Sequence, residues 1–170
     1  MSSTILKGSS RGPANVASAD AGWRSLGWFG FFMAAIGLGQ LALYFFPATG
    51  FGSPEWEYGA SAQMIGALPL PTVGLAALIA AAFATGSRRG LIGLSIVFVL
   101  LGLVVFAALA LFWSVAPMAM RATPEAADSA IQQTIARTTL SGLGFGLLYM
   151  WAAFVAMRQA RRFSRRAVNA

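Results

Sequence analysis

Of the 170 residues in this chain, only 10% are charged and 58% are hydrophobic, against about 25% charged in an ordinary soluble domain. A soluble domain of this length cannot bury that much apolar surface, so a water-surrounded fold is excluded. With no cysteine and no histidine there is no disulfide, no thiolate cluster, no histidine-ligated haem and hardly any route to a zinc site, and the net charge of +7 needs a partner or a topology to explain it.

The hydrophobic residues come in long blocks rather than in amphipathic stripes, and a helix needs about 20 of them to cross a bilayer. The first block, residues 26–46, has no charge and only Gln40 as a strongly polar side chain; Pro47 is expected to end it. It is too long for the apolar core of a signal peptide, its leading segment is too long, and no A-x-A site follows, so it is expected to stay in the protein. Residues 1–25 then form a cytoplasmic segment.

After the first span, Ser53-Pro54-Glu55-Trp56-Glu57 reads as a helix start: a good N-cap, proline at the first helical position and two acids facing the positive helix end. A short helix is expected from Pro54 to about Ala67, lying at the membrane surface with Trp56 and Tyr58 as anchors at headgroup depth. The second span, residues 68–85, opens with Leu68-Pro69-Leu70-Pro71. Each proline removes a backbone donor, so this break belongs near the interface or against another helix.

The third span, residues 91–115, is uncharged and is expected to close at Pro117. Thr123-Pro124-Glu125 repeats the capped helix start, and a helix from Pro124 meets no breaker before the fourth span, residues 140–157; one rod can therefore run through both. Ile131 and Ile135 share a face of it, covering either the protein's own outer surface or a docking surface for a partner. The fold class is thus all-α: a polytopic integral membrane protein with a four-helix transmembrane domain over 26–158, short capped helices in both outer loops, and a basic tail over 159–170.

Orientation follows from the basic residues. Lys7, Arg11, Arg24, Arg88, Arg89, Arg158, Arg161, Arg162, Arg165 and Arg166 all fall on one side of a four-span chain. Arg121 and Arg137 fall on the other, beside Glu55, Glu57, Glu125 and Asp128. The positive-inside rule places both termini in the cytoplasm, and the localisation expected is a bacterial cytoplasmic (inner) membrane or its invaginations. The basic excess is thereby explained by topology, and no basic patch interleaved with aromatics suggests nucleic acid.

Pro54-Glu55-Trp56-Glu57 followed by Ala67-Leu68-Pro69-Leu70-Pro71-Thr72-Val73-Gly74-Leu75 resembles the HpsJ-like bacterial membrane proteins over residues 53–78 and in its four-span plan. The resemblance implies a similar topology and a link to polysaccharide secretion, and it carries over no catalytic residue.

Chemistry is sparse. None of the four spans contains an ionisable residue of the kind that marks a proton or ion path. Without histidine no serine or cysteine triad with a histidine base can be built, Glu55 and Glu57 point apart on a helix, and no glycine-rich phosphate loop precedes a helix with lysine. No catalytic or metal-ligating residue is expected, and no intrinsic cofactor. Gln40, Thr72, Ser95, Ser114 and Ser141 are expected to hydrogen-bond between helices. Small residues at packing spacing, Gly30/Ala34 and Ala35/Gly39 in the first span and Gly142/Gly146 in the fourth, mark faces for close helix contact, either internal or with foreign helices. Thirteen Phe and five Trp offer ring surface for lipid or for flat ligands such as carotenoids, quinones or tetrapyrroles. Arg158, Arg161, Arg162, Arg165 and Arg166 recur every three or four residues, a helical stripe for anionic lipid or for an acidic partner subunit.

The functional expectation is a non-catalytic accessory subunit within or at the rim of a larger energy-transducing complex, photosynthetic (reaction centre or antenna) or respiratory, with membrane lipids and other transmembrane subunits as partners. A polysaccharide-secretion assembly factor and a small oligomeric transporter are the alternatives. Because the chain lacks cysteine, single cysteines report its orientation. Ser129→Cys should react with an impermeant maleimide on intact spheroplasts and Ser87→Cys only after permeabilisation; the opposite pattern inverts the topology.

Overall fold

The computed structural model describes residues 13–44, 46, 52–122 and 128–168, all of the regular structure among them helical. Five helices follow in order: α1 (Pro13–Leu43), α2 (Pro54–Ala67), α3 (Pro69–Ala84), α4 (Arg88–Ala122) and α5 (Asp128–Val168). Four stretches are long and apolar enough to cross a membrane: Ala21–Leu43, Pro54–Ala84, Arg88–Met118 and Ser129–Ser164. Helix is the form that hydrocarbon demands of such sequence, because it satisfies every backbone donor and acceptor within the segment.

The elements differ from the sequence reading at their ends. Helix α1 starts at Pro13, well ahead of residue 26, and stops at Leu43, where the Phe46 N–H turns back onto the Leu43 carbonyl at 3.0 Å. Pro47 and Thr123-Pro124-Glu125 lie outside the described residues. Helix α4 runs through Pro117 to Ala122 instead of closing before it. The proline removes one hydrogen bond only a turn and a half from the helix end, while its fully buried neighbour Ala116 is held in a cluster with Phe112 and Ile135. Helix α5 is one rod from Asp128 to Val168.

The helix expected at the membrane surface is present with its cap, the Trp56 N–H reaching the Ser53 hydroxyl at 3.4 Å. It does not lie apart on the surface. Met64 and Ile65 are buried in the main core, and α2 packs chiefly against α4. Leu68 joins it to α3 with right-handed helical angles (φ −56, ψ −29), so the two helices form one rod interrupted only in its hydrogen-bond ladder. Pro69 and Pro71 withdraw the donors due to the carbonyls of Ile65 and Ala67; the Leu68 N–H, at 3.4 Å from the Ile65 oxygen, replaces the first with a tighter turn.

The rod organises the bundle. Its α3 half packs on α1, which touches little else, and its α2 half packs on α4, which pairs along its length with α5. Helices α4 and α5 are antiparallel: Gly142 meets Leu109, Gly146 meets Phe106, Gly102 meets Met150 and Ser95 meets Ala153 in opposite chain order. Buried side chains form three layers: Phe112, Ala116 and Ile135 at one end, a central cluster that includes Leu41, Leu68, Leu75 and Tyr149, and Ala82, Leu91, Ala156 and Ala160 at the other. Ile131 packs against the first layer beside Ile135, so that pair covers α4.

Contact between α1 and α3 is backbone on backbone. A Cβ added at Gly37 would lie 2.6 Å from the Pro71 nitrogen, one at Gly30 2.7 Å from the Gly74 carbonyl oxygen, and one at Gly74 2.8 Å from the Ala34 Cα and against its nitrogen. A side chain at Gly74 must push the helices apart, whereas Gly93 on α4 has nothing within 4 Å. Gly74→Val should therefore destabilise the protein by about 1–3 kcal/mol in detergent-denaturation titrations, with Gly93→Val near neutral.

Candidate functional site

In hydrocarbon a polar side chain is stable only with a partner, so the interior hydroxyls show where the helices must meet. Thr72, on the first turn after the proline pair, donates its hydroxyl to the Leu68 carbonyl at 2.6 Å. Its oxygen lies 2.6 Å from the hydroxyl of Tyr149 on α5. With the threonine proton committed to Leu68, Tyr149 is the donor, and the chain reads Tyr149 to Thr72 to the Leu68 carbonyl. Tyr149 is fully buried, its ring tilted against Phe98 of α4 at 6.0 Å and Phe145 at 6.3 Å. One turn further along α5, the buried Ser95 hydroxyl of α4 donates to the Ala153 carbonyl at 3.0 Å.

These neutral groups lock helices together and hold no charge. Among the described residues no group of three or more His, Cys, Asp or Glu is placed to hold a metal. Buried hydroxyls without a hydrogen-bond partner among the described residues are those of Tyr58, Ser61 and Thr139.

The residues singled out in the sequence divide by direction. Gly30 and Ala34 lie in the α1–α3 contact, and Gly142 and Gly146 in the α4–α5 contact, the latter against the ring of Phe106. Ala35 and Gly39 face outward, and Gly37 and Gly74, which belong to neither of the small-residue pairs of the first span nor to that of the fourth, make the closest approaches. Tyr58 turns inward and stacks on Phe112 at 4.9 Å and 25°, while Trp56 is half-buried. Gln40 is exposed and makes no hydrogen bond among the described residues; Ser114 bonds within its own helix, to the Leu111 carbonyl at 2.6 Å. Arg158, Arg161 and Arg162 are exposed on the last turns of α5; the side chains of Arg165 and Arg166 lie outside the description. Tyr149 escaped the sequence reading because a lone tyrosine in an apolar run carries no partner signal; Thr72 did carry one, through its place after the prolines.

Outside, apolar side chains face the bilayer on α1, α4 and α5, among them Ile96, Leu100, Leu140, Leu147, Trp151 and Phe154. The densest ring surface is on α1. Trp28 lies 6.1 Å from both Phe31 and Phe32, and those two lie 5.8 Å apart, all three more than half exposed. Phe29 is exposed beside them. Several grooves mark the surface, among them three lined by pairs of helices. One between α2 and α5, about 300 Å³, sets Gln63, Thr134, Arg137, Thr138 and Ser141 beside Ala62 and Ile65. An apolar one between α4 and α5, about 520 Å³, includes Trp113, Met120, Leu140 and Leu143. The third, about 360 Å³, lies at the opposite end of the same helix pair and contains Arg88 and Arg161.

Comparison with protein-family models, curated proteins and solved structures returned no match. Tyr149→Phe and Thr72→Val should each destabilise the bundle, and the double-mutant cycle should return a coupling of about 0.6 kcal/mol, up to about 1.7, as for hydrogen bonds between membrane helices.

Proposed function

We propose that this chain is a non-catalytic accessory subunit that packs within or at the rim of a larger energy-transducing membrane complex, photosynthetic or respiratory. The observation that carries this reading is the construction of α1. It is fastened to the bundle through α3 almost alone, at a backbone contact, and it turns Trp28, Phe29, Phe31 and Phe32 outward as a continuous ring surface. Lipid can cover such a face, and so can a foreign helix or a flat ligand such as a carotenoid, quinone or tetrapyrrole. The pairing of Tyr149 with Thr72 and of Ser95 with the Ala153 carbonyl, and spans with no charged residue at their centres, favour a packing role over transport. The membrane is proposed to be a bacterial cytoplasmic membrane or its invaginations, with both termini cytoplasmic on the placement of the arginines.

A second reading is favoured by one feature, the resemblance of residues 53–78 to the HpsJ-like proteins: a membrane assembly factor for surface polysaccharide. Extraction in mild detergent separates the two. The accessory reading expects the chain in a high-mass complex on native gels, with respiratory or photosynthetic subunits co-migrating. Recovery only as a free species near 18 kDa would overturn it. A deletion strain with unaltered envelope polymers would remove the second reading.

A further inference from the structure

The arginine-rich end of the α4–α5 pair gathers positive charge from both helices. Helix α4 begins with Arg88 and Arg89 and has no acid in its first turn, so two cations sit at the end of a long helix whose backbone dipole is already positive. The antiparallel pairing brings the last turns of α5 alongside, and with them Arg161. Among the described residues no carboxylate pairs with Arg88 or Arg161. The acids that begin α2, Glu55 and Glu57, stand at the opposite end of their rod. Positive charge gathered from two helices and one helix terminus has no acidic counterpart among the described residues.

Between these elements lies the cleft of about 360 Å³. Arg88, Arg161 and Ser164 supply cationic and hydroxyl donors, and Ile92, Met157 and Ala160 form an apolar floor. Met157 and Arg161 are shared with an adjoining cleft that adds Phe154, Arg158 and Arg162. Phe154 is well exposed one turn before Arg158, so an apolar track leads from the arginines toward the middle of the span. Donors at one end and an apolar track at the other match a molecule with an anionic head and a hydrocarbon tail. A soluble anion leaves the track unused, and a zwitterionic lipid leaves the charge uncompensated.

We propose that this cleft seats an anionic glycerophospholipid from the bilayer, its phosphate between Arg88 and Arg161 near Ser164 and an acyl chain along Ile92, Met157 and Phe154. The site is independent of whether the chain joins a larger complex. Basic pockets between membrane helices bind such headgroups with about 1 kcal/mol of attraction per arginine, or roughly five-fold in affinity.

The test uses the full chain in mild detergent, titrated with phosphatidylglycerol or with phosphatidylcholine of identical acyl chains, counting bound lipid by native mass spectrometry. One phosphatidylglycerol should bind ahead of all others, about tenfold or more tighter than phosphatidylcholine, and R88Q/R161Q should weaken it about thirty-fold. R88K/R161K should retain most of the binding, with circular dichroism showing that each variant is folded. R121Q/R137Q, which removes equal charge elsewhere, should leave it unchanged. Equal binding of the two lipids, an equal loss in R165Q/R166Q (charge smeared along the tail), or displacement by inorganic phosphate at comparable concentration (a soluble-anion site) would each overturn the proposal.

Discussion

Two prolines within a membrane-crossing rod constrain the rest of this bundle. Pro69 and Pro71 cannot donate to the carbonyls a turn behind them, and hydrocarbon provides no water to substitute. The break is kept inside the protein. Pro71 is covered by the bare backbone of Gly37, and Thr72, whose N–H and hydroxyl both reach the Leu68 carbonyl just past the break, receives a bond from Tyr149. One local defect thereby ties three of the four membrane-crossing rods: α1 by steric fit, α5 by a hydrogen bond, and the α2–α3 rod that carries both. The same rod engages α4 through its other half, where Met64 and Ile65 enter the core.

Packing elsewhere follows from what lipid withholds. Helices in a bilayer gain no hydrophobic push toward one another, so dispersion contact and a few hydrogen bonds must hold them. Glycine and alanine at Gly30, Ala34, Gly37 and Gly74 bring the α1 and α3 backbones close, and in the α4–α5 pair glycine makes room for large neighbours instead, Gly146 for the Phe106 ring and Gly102 for Met150. The two seams use the same small residue for different ends, close backbones in one and ring accommodation in the other. Bulk is left outside, where Trp28, Phe31, Phe32, Trp151 and Phe154 meet lipid or a partner.

Charge is sorted as strictly as volume. The spans keep arginine and carboxylate to their ends, and the interior polar groups are hydroxyls and carbonyls. At one end Arg88 and Arg161 line one cleft with Ile92, Met157 and Ala160. On the lipid-site proposal, the residues that would orient the chain would also hold an anionic headgroup.

By itself the sequence determined the helical class, the four crossings, the start of α2 at its Ser53 cap and the unbroken passage into the last span. Each of these depends on local hydropathy, capping or the lack of a breaker, and hydrocarbon enforces helix wherever such a run occurs. It closed α4 too early at Pro117, because a proline near a helix terminus costs little when its neighbours are packed. Only the tertiary structure decided which small residues face inward, Gly37 and Gly74 rather than Ala35 and Gly39, that Tyr149 answers Thr72, and that Arg88 joins Arg161. Those outcomes depend on how each helix is rotated about its axis and which neighbour it meets, and an apolar run nearly uniform around its circumference carries almost no record of either.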